Sequence, residues 1–401
     1  MSLDEFPIAL ILAGLVAYAV LGGADFGAGF WSLPAGGRRG EAIRDHAHHA
    51  MGPVWEANHV WLIFVLVVCW TAYPSAFASM MSTLAVPFFI AAVGIILRGT
   101  AYALRVGAGV PREQRTVDLV FAFSSILTPF ALGAALGAIA SGRVPVGNAE
   151  GDQFSSWLNA TSVVVGVLAV AVAAYLAAVY LAADAVRAGN RELAEAFRVR
   201  ALATGVAAGA VAMAGLLVVR DDAPELWDGL SSGAGLAAVV VSAVAGVATI
   251  LLVWRRSYEA ARPTAAAAVA AVVLGWAFAQ RPEVLPGLDV HEAAAGRSTL
   301  IALVIATAIG VLVLAPSLAI LYGLLLRGRF DAEPSQPEER APVAAKRQAP
   351  RLTPAAACLG VGALLTLAFD GGAFLAIGVS CLLAGCVLGF VALAAPIESE
   401  P

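Results

Sequence analysis

Two carboxylic acids carry the first chemical hint. Asp25 stands in Gly22-Gly23-Ala24-Asp25-Phe26-Gly27-Ala28-Gly29, and Glu56 in Gly52-Pro53-Val54-Trp55-Glu56-Ala57-Asn58-His59-Val60-Trp61. Both fall in long apolar stretches. An ionisable side chain at the centre of a membrane helix costs about 2.5–3.5 kcal/mol on insertion scales, so such a group defaults to a functional reading. Each acid sits a few residues from the same end of its stretch, and at 1.5 Å per residue both are roughly 6–8 Å deep on one side. Adjacent antiparallel helices could bring them together. A partly buried pair of carboxyls suits proton uptake, because the two cannot both ionise freely. The structural alternative is that Asp25 bonds backbone freed near the glycines and Glu56 pairs with Arg44 or an early helical N–H.

Other chemistry is less well supported. His46, His48, His49 and His59 lie close together, and Glu56-x-x-His59 has the spacing used in di-iron bundles. Such a site needs two copies of the pair and two further Glu, and there is one copy, so no metal site is expected. Gly23 and Gly27 form a GxxxG pair that permits close helix packing. A phosphate loop is disfavoured, since GxxxxGK[ST] is absent. Cys69, Cys358, Cys381 and Cys386 form no CxxC pair, so neither a zinc site nor a disulfide framework is suggested. No mid-span His faces a mid-span His or Met that could complete a haem site within this chain.

The elements that position these residues follow from composition. Of 401 residues 60% are hydrophobic and 13% charged, against about 45–50% and 25% in soluble domains. A water-soluble enzyme is thereby excluded, and so is disorder. The apolar runs are unbroken, unlike the alternating strands of a membrane barrel. The chain is expected to be an all-α polytopic membrane protein. Nine main spans are expected at about 7–30, 52–70, 76–98, 117–141, 157–186, 197–219, 232–254, 262–281 and 297–326. The first lacks a basic leader and is expected to remain as a helix. A polar linker at 331–352 and a C-terminal apolar hairpin with a short acidic tail at 353–401 follow a membrane domain at 1–330. With the N-terminus outside, alternation places 20 of the 24 basic residues on the cytoplasmic side, Arg98 among them.

The motifs around Asp25 and Glu56 resemble those of subunit II of cytochrome bd-type terminal oxidases. Gly23-Ala24-Asp25-Phe26-Gly27, Trp55-Glu56-Ala57-Asn58-His59-Val60-Trp61, Arg98-Gly99 with Arg105, Leu127-Thr128-Pro129-Phe130 and Gly275-Trp276-Ala277-Phe278-Ala279-Gln280 occur in the family's order. Pro316 falls where the last span of that family carries a Pro. The resemblance covers about residues 7–330. It implies two four-helix bundles plus a peripheral helix, and a partner, subunit I, that bears haem b and haem d type groups. The complex would reduce O2 to water with electrons from quinol and take protons from the cytoplasm.

By the resemblance, Asp25 and Glu56 are proton-path acids, with Trp55, Asn58, His59, Trp61 and Arg98 in support. Glu56 departs from the family's usual Asp and Ala57 from its Gly; a second acid upstream of Asp25 is replaced by Gly22 and Gly23. This chain would bind no haem alone, while a structural quinone, lipids and a small single-span subunit are further expected partners, and nucleic acid is not. The expected location is a bacterial-type cytoplasmic (inner) membrane. The competing function class is a proton-coupled secondary transporter, against which stand the off-centre acids and the lack of a visible repeat.

Overall fold

The computed structural model describes residues 2–33, 40, 42–47, 55–107, 111–326, 353–368 and 372–394. The chain divides into two compact units, Met1–Phe330 and Asp331–Pro401. In the first, one long apolar rod begins with α1 (Phe6–Ala17), where Pro7 occupies the first turn, whose N–H groups have no helical acceptor. The rod widens to a π turn at Tyr18–Gly22 and continues as α2 (Gly23–Phe30). A short helical segment, α3 (42–47), follows. Then come α4 (Trp55–Ala72), α5 (Pro74–Thr83), α6 (Ala85–Gly107), α7 (Pro111–Ala140), α8 (Ala160–Arg187) and α9 (Arg191–Asp222). The unit continues through α10 (Pro224–Leu230), α11 (Gly233–Trp254), α12 (Tyr258–Gln280), the strands β1 (Glu283–Leu285) and β2 (Leu288–Asp289), α13 (Val290–Ala293) and α14 (Arg297–Leu326).

Asn159 and Asn190 start α8 and α9 by accepting from the N–H groups of Ser162 and Leu193. These bonds satisfy donors that the helices cannot satisfy themselves. Among the described residues, eight helices are long and apolar enough to cross a membrane, and α4 adds a shorter apolar segment, Ala57–Ala72. The chain is an all-helical polytopic membrane protein, apart from the small antiparallel ribbon of β1 and β2 that the sequence reading did not foresee. Strands of three and two residues carry too little periodic signal to be read.

The first group of spans packs α1 on α4, α6 on α7 and α2 on α7; the second packs α8 on α9, α11 on α12 and α8 on α12. The two groups meet where α2 and α7 lie against α8. The alanine-rich face of α8 makes that junction dense, with Leu176, Ala177, Ala178, Leu181 and Ala182 fully enclosed. α14 lies at the periphery against α4, with little of its apolar surface covered by the rest of the chain. The second unit holds α15 (Thr353–Ala368) packed on α16 (Gly372–Ala394).

One expected boundary is corrected. The stretch 76–98 is not one span. It contains the separate α5, and the span proper is α6, which runs nine residues past Arg98 to Gly107. Arg98 is therefore inside the helix bundle and not at a loop.

Candidate functional site

Asp25 and Arg98 form a buried ion pair. Asp25 is 0% exposed and Arg98 2%. Arg98 Nη2 donates to Asp25 Oδ1 at 2.7 Å and to the Asp25 backbone carbonyl at 2.8 Å. Arg98 Nη1 donates to Ser125 Oγ, and that hydroxyl donates in turn to the Phe121 carbonyl. The guanidinium also stacks over two rings, 4.2 Å from the centroid of Phe121 and 5.0 Å from that of Phe26. A planar fork with aromatic faces and a carboxylate on its edge is an arrangement that arginine fits and lysine does not.

Three helices build this pair. α2 supplies Asp25 and Phe26, α6 supplies Arg98, and α7 supplies Phe121 and Ser125. Glycine makes the room. A Cβ at Gly29 would run into Ser125 Oγ and Arg98 Nη1, and one at Gly27 would run into the Ala173 carbonyl of α8. The expected Gly23–Gly27 packing face does lie against α8, with the two glycines unequally close. A Cβ at Gly23 would meet Leu176 at an ordinary 3.5 Å, so the close approaches belong to Gly27 and Gly29.

The residues of α4 close the site from the other side. Asn58 is 2% exposed, and its amide nitrogen donates to the Leu21 carbonyl in the π turn at 3.3 Å. π turns occur often at functional sites. The His59 ring packs edge-on against Tyr18 and Phe26, with centroids 6.2 and 5.9 Å away. Trp61 packs against the same small cluster of Tyr18, Phe26 and Ala173. The backbone of Trp55 and Glu56 opens α4, while their side chains lie outside the described residues. The expected meeting of Asp25 with Glu56 falls there too, and the partner that the structure gives Asp25 is Arg98.

The alternative partner named for Glu56, Arg44, pairs with Asp118 at 3.5 Å. Of the clustered histidines, His48 and His49 lie outside the described residues. His46 is half-buried: its ring nitrogen lies 3.2 Å from the Leu181 carbonyl, and its ring packs near Phe197. Sequence reasoning missed Tyr18, Phe121 and Ser125. A signal for Arg98 existed, because the apolar run continues beyond it through Ala101 and Leu104.

The order of these motifs, the helix pairing and the buried acid–base pair can be set beside known proteins. Residues 3–325 match the family described as cytochrome bd terminal oxidase subunit II. The chain belongs to that family. As a bd oxidase subunit II it is a component of a terminal oxidase. It is similar to the cytochrome bd ubiquinol oxidase subunit 2 of Bacillus subtilis, 31% identical over 132 residues, or 33% of this chain. That match spans 38% of the relative's length. Its fold is similar to a chain in the structure of bd oxidase from Geobacillus thermodenitrificans. The TM-score is 0.68 at 26% identity, covering 82% of this chain and 99% of that one.

Proposed function

We propose that this chain is the haem-free second subunit of an oxidase complex that reduces O2 to water with electrons from quinol. The observation that carries the reading is the family match over residues 3–325, together with a bd oxidase architecture. In this reading the haems belong to a partner subunit that this chain stabilises.

The proposed chemistry of this chain is proton handling. Asp25 and Glu56 take protons from the cytoplasmic side, with the N-terminus outside and the membrane a bacterial-type cytoplasmic one. Support comes from the buried charge pair, since a carboxylate and a guanidinium kept inside a membrane bundle are costly unless they are used. Arg98 holds one carboxylate oxygen of Asp25 and leaves the other without a partner among the described residues. That leaves Asp25 Oδ2 open to accept a proton.

Co-purification with the haem subunit tests the reading, monitored by reduced-minus-oxidised visible spectra. Haem bands that travel with this chain and need its presence are expected. Purification of this chain alone, stable and haem-free in cells that also produce the haem subunit, would overturn it. An uptake assay in proteoliposomes would then be the next step.

A further inference from the structure

Around the π turn, the enclosed polar atoms with no hydrogen-bond partner among the described residues include Tyr18 Oη, Asn58 Oδ1 and Asp25 Oδ2. They belong to two elements, the first rod and α4. Long side chains in a helix usually lean toward its N-terminus. Tyr18 leans the other way. A Cβ at Gly22 would meet Tyr18 Cδ2 and Cε2 at 3.0 Å, so the ring lies over that glycine, one turn further along. Its edge contact with Phe26, at 6.4 Å between centroids, agrees with this direction.

Asn58 reaches the same level. Its amide nitrogen bonds the Leu21 carbonyl, and a helix carbonyl points about one turn toward the C-terminus. The Asn58 amide therefore lies alongside Asp25. The hydrogen-bond inventory is then specific: one hydroxyl needs an acceptor, and two oxygens need donors. Leaving such groups unsatisfied in an enclosed site costs about 1–3 kcal/mol each. A water molecule donates two bonds and accepts up to two, and buried waters make about three bonds on average.

We propose that Tyr18, Asn58 and Asp25 together hold one ordered water, and that Tyr18 is the positioning residue that keeps Asp25 hydrated. The Tyr18 hydroxyl donates to the water, and the water donates to Asn58 Oδ1 and Asp25 Oδ2. The water can pass one of its own protons to Asp25 Oδ2 as it accepts another on its free lone pair, and it stays neutral. The relay rests on the reading of Asp25 as a proton-path acid, whereas the water site does not.

The test is a cryo-electron microscopy map of the assembled wild-type complex at water-resolving resolution, beside one of Tyr18→Phe. Density within hydrogen-bond distance of all three atoms is expected in the wild type and is expected to vanish in Tyr18→Phe. At equal haem content, Tyr18→Phe should lower turnover about tenfold, the effect of one lost hydrogen bond of roughly 1.4 kcal/mol, and alter its pH profile. A wild-type map without that density, or with Tyr18 Oη bonded directly to Asp25, would overturn the water site. Unchanged density and pH profile in Tyr18→Phe would overturn the role of Tyr18. Wild-type turnover in a haem-replete Asp25→Asn complex would sink the proton-path reading separately, with the water site still supported by its density.

Discussion

At the residue scale the decisive feature is the pairing of Asp25 with Arg98. Removing one partner of a buried pair leaves the other charge uncompensated, at a cost of about 3–5 kcal/mol. Arg98→Met should therefore lower the stability of the membrane domain by that order, measured as its denaturation midpoint in detergent. Arg98→Lys should recover only part of the loss, because one ammonium cannot serve Asp25, Ser125 and two rings together. A wild-type midpoint in Arg98→Met would show that the pair is not stabilising. For Glu56 the expectation is chemical. Glu56→Gln should slow oxygen reduction at least about tenfold, and Glu56→Asp should retain much of it, since only Gln removes the ionisable group. Normal turnover in a fully assembled Glu56→Gln complex would remove Glu56 from the path. The embedded acids were legible as charges in apolar runs. The partner of Asp25 was not, because Arg98 is 73 positions away and the apolar run on either side of it marks an embedded charge without saying which acid it meets.

At the element scale the first rod does the positioning. It changes from α to π winding at Tyr18–Gly22, then presents Gly27 to α8 and Gly29 to Arg98. The two glycines Gly23 and Gly27 look equivalent in the sequence, but their surroundings differ. Gly27→Ala would push a methyl group into the backbone carbonyl of Ala173, which cannot rotate away. A destabilisation of about 1–3 kcal/mol is expected, the usual range for overpacking. Gly23→Ala should stay within about 0.5 kcal/mol of the wild type. Equal thermal midpoints for the two variants would contradict this assignment of the close contact. GxxxG patterning identified a packing face, and the approach of α8 decided which glycine touches backbone.

At the scale of the whole molecule, the start of the first span is fastened to the segment after α12. Arg281 Nη2 donates to Glu5 Oε1 at 2.9 Å, His291 Nδ1 lies 3.1 Å from Asp4 Oδ2, and the Tyr73 hydroxyl donates to the Asp4 carbonyl at 2.6 Å. The backbone N–H of Ser2, and then Arg281, hold the Glu5 carboxyl below its usual range. The hydrogen bond to Asp4 holds the His291 imidazole above its usual value. The sign follows from linkage: a raised folded-state value contributes stability that is full below the ordinary imidazole pKa of about 6.5 and fades as pH rises through the folded value. The wild type should therefore lose slightly more thermal stability than His291→Gln between about pH 6 and pH 8.5. Parallel losses in both proteins would show that the contact contributes nothing. The effect is expected to be small because both groups are exposed and screened.

The sequence by itself determined the membrane class, the helical architecture, the family resemblance and the two embedded acids. The reason is that a bilayer makes these features local: about 20 apolar residues define a span, and one charge inside it is conspicuous. Tertiary structure alone decided that Arg98 is enclosed and paired with Asp25, that Gly29 makes its room, and that Tyr18 leans along the rod over Gly22. Those facts depend on how α2, α4, α6, α7 and α8 face one another. Among lipid-like surroundings the apolar faces of a helix are nearly equivalent, so facing is set by close packing and hydrogen bonds between distant residues.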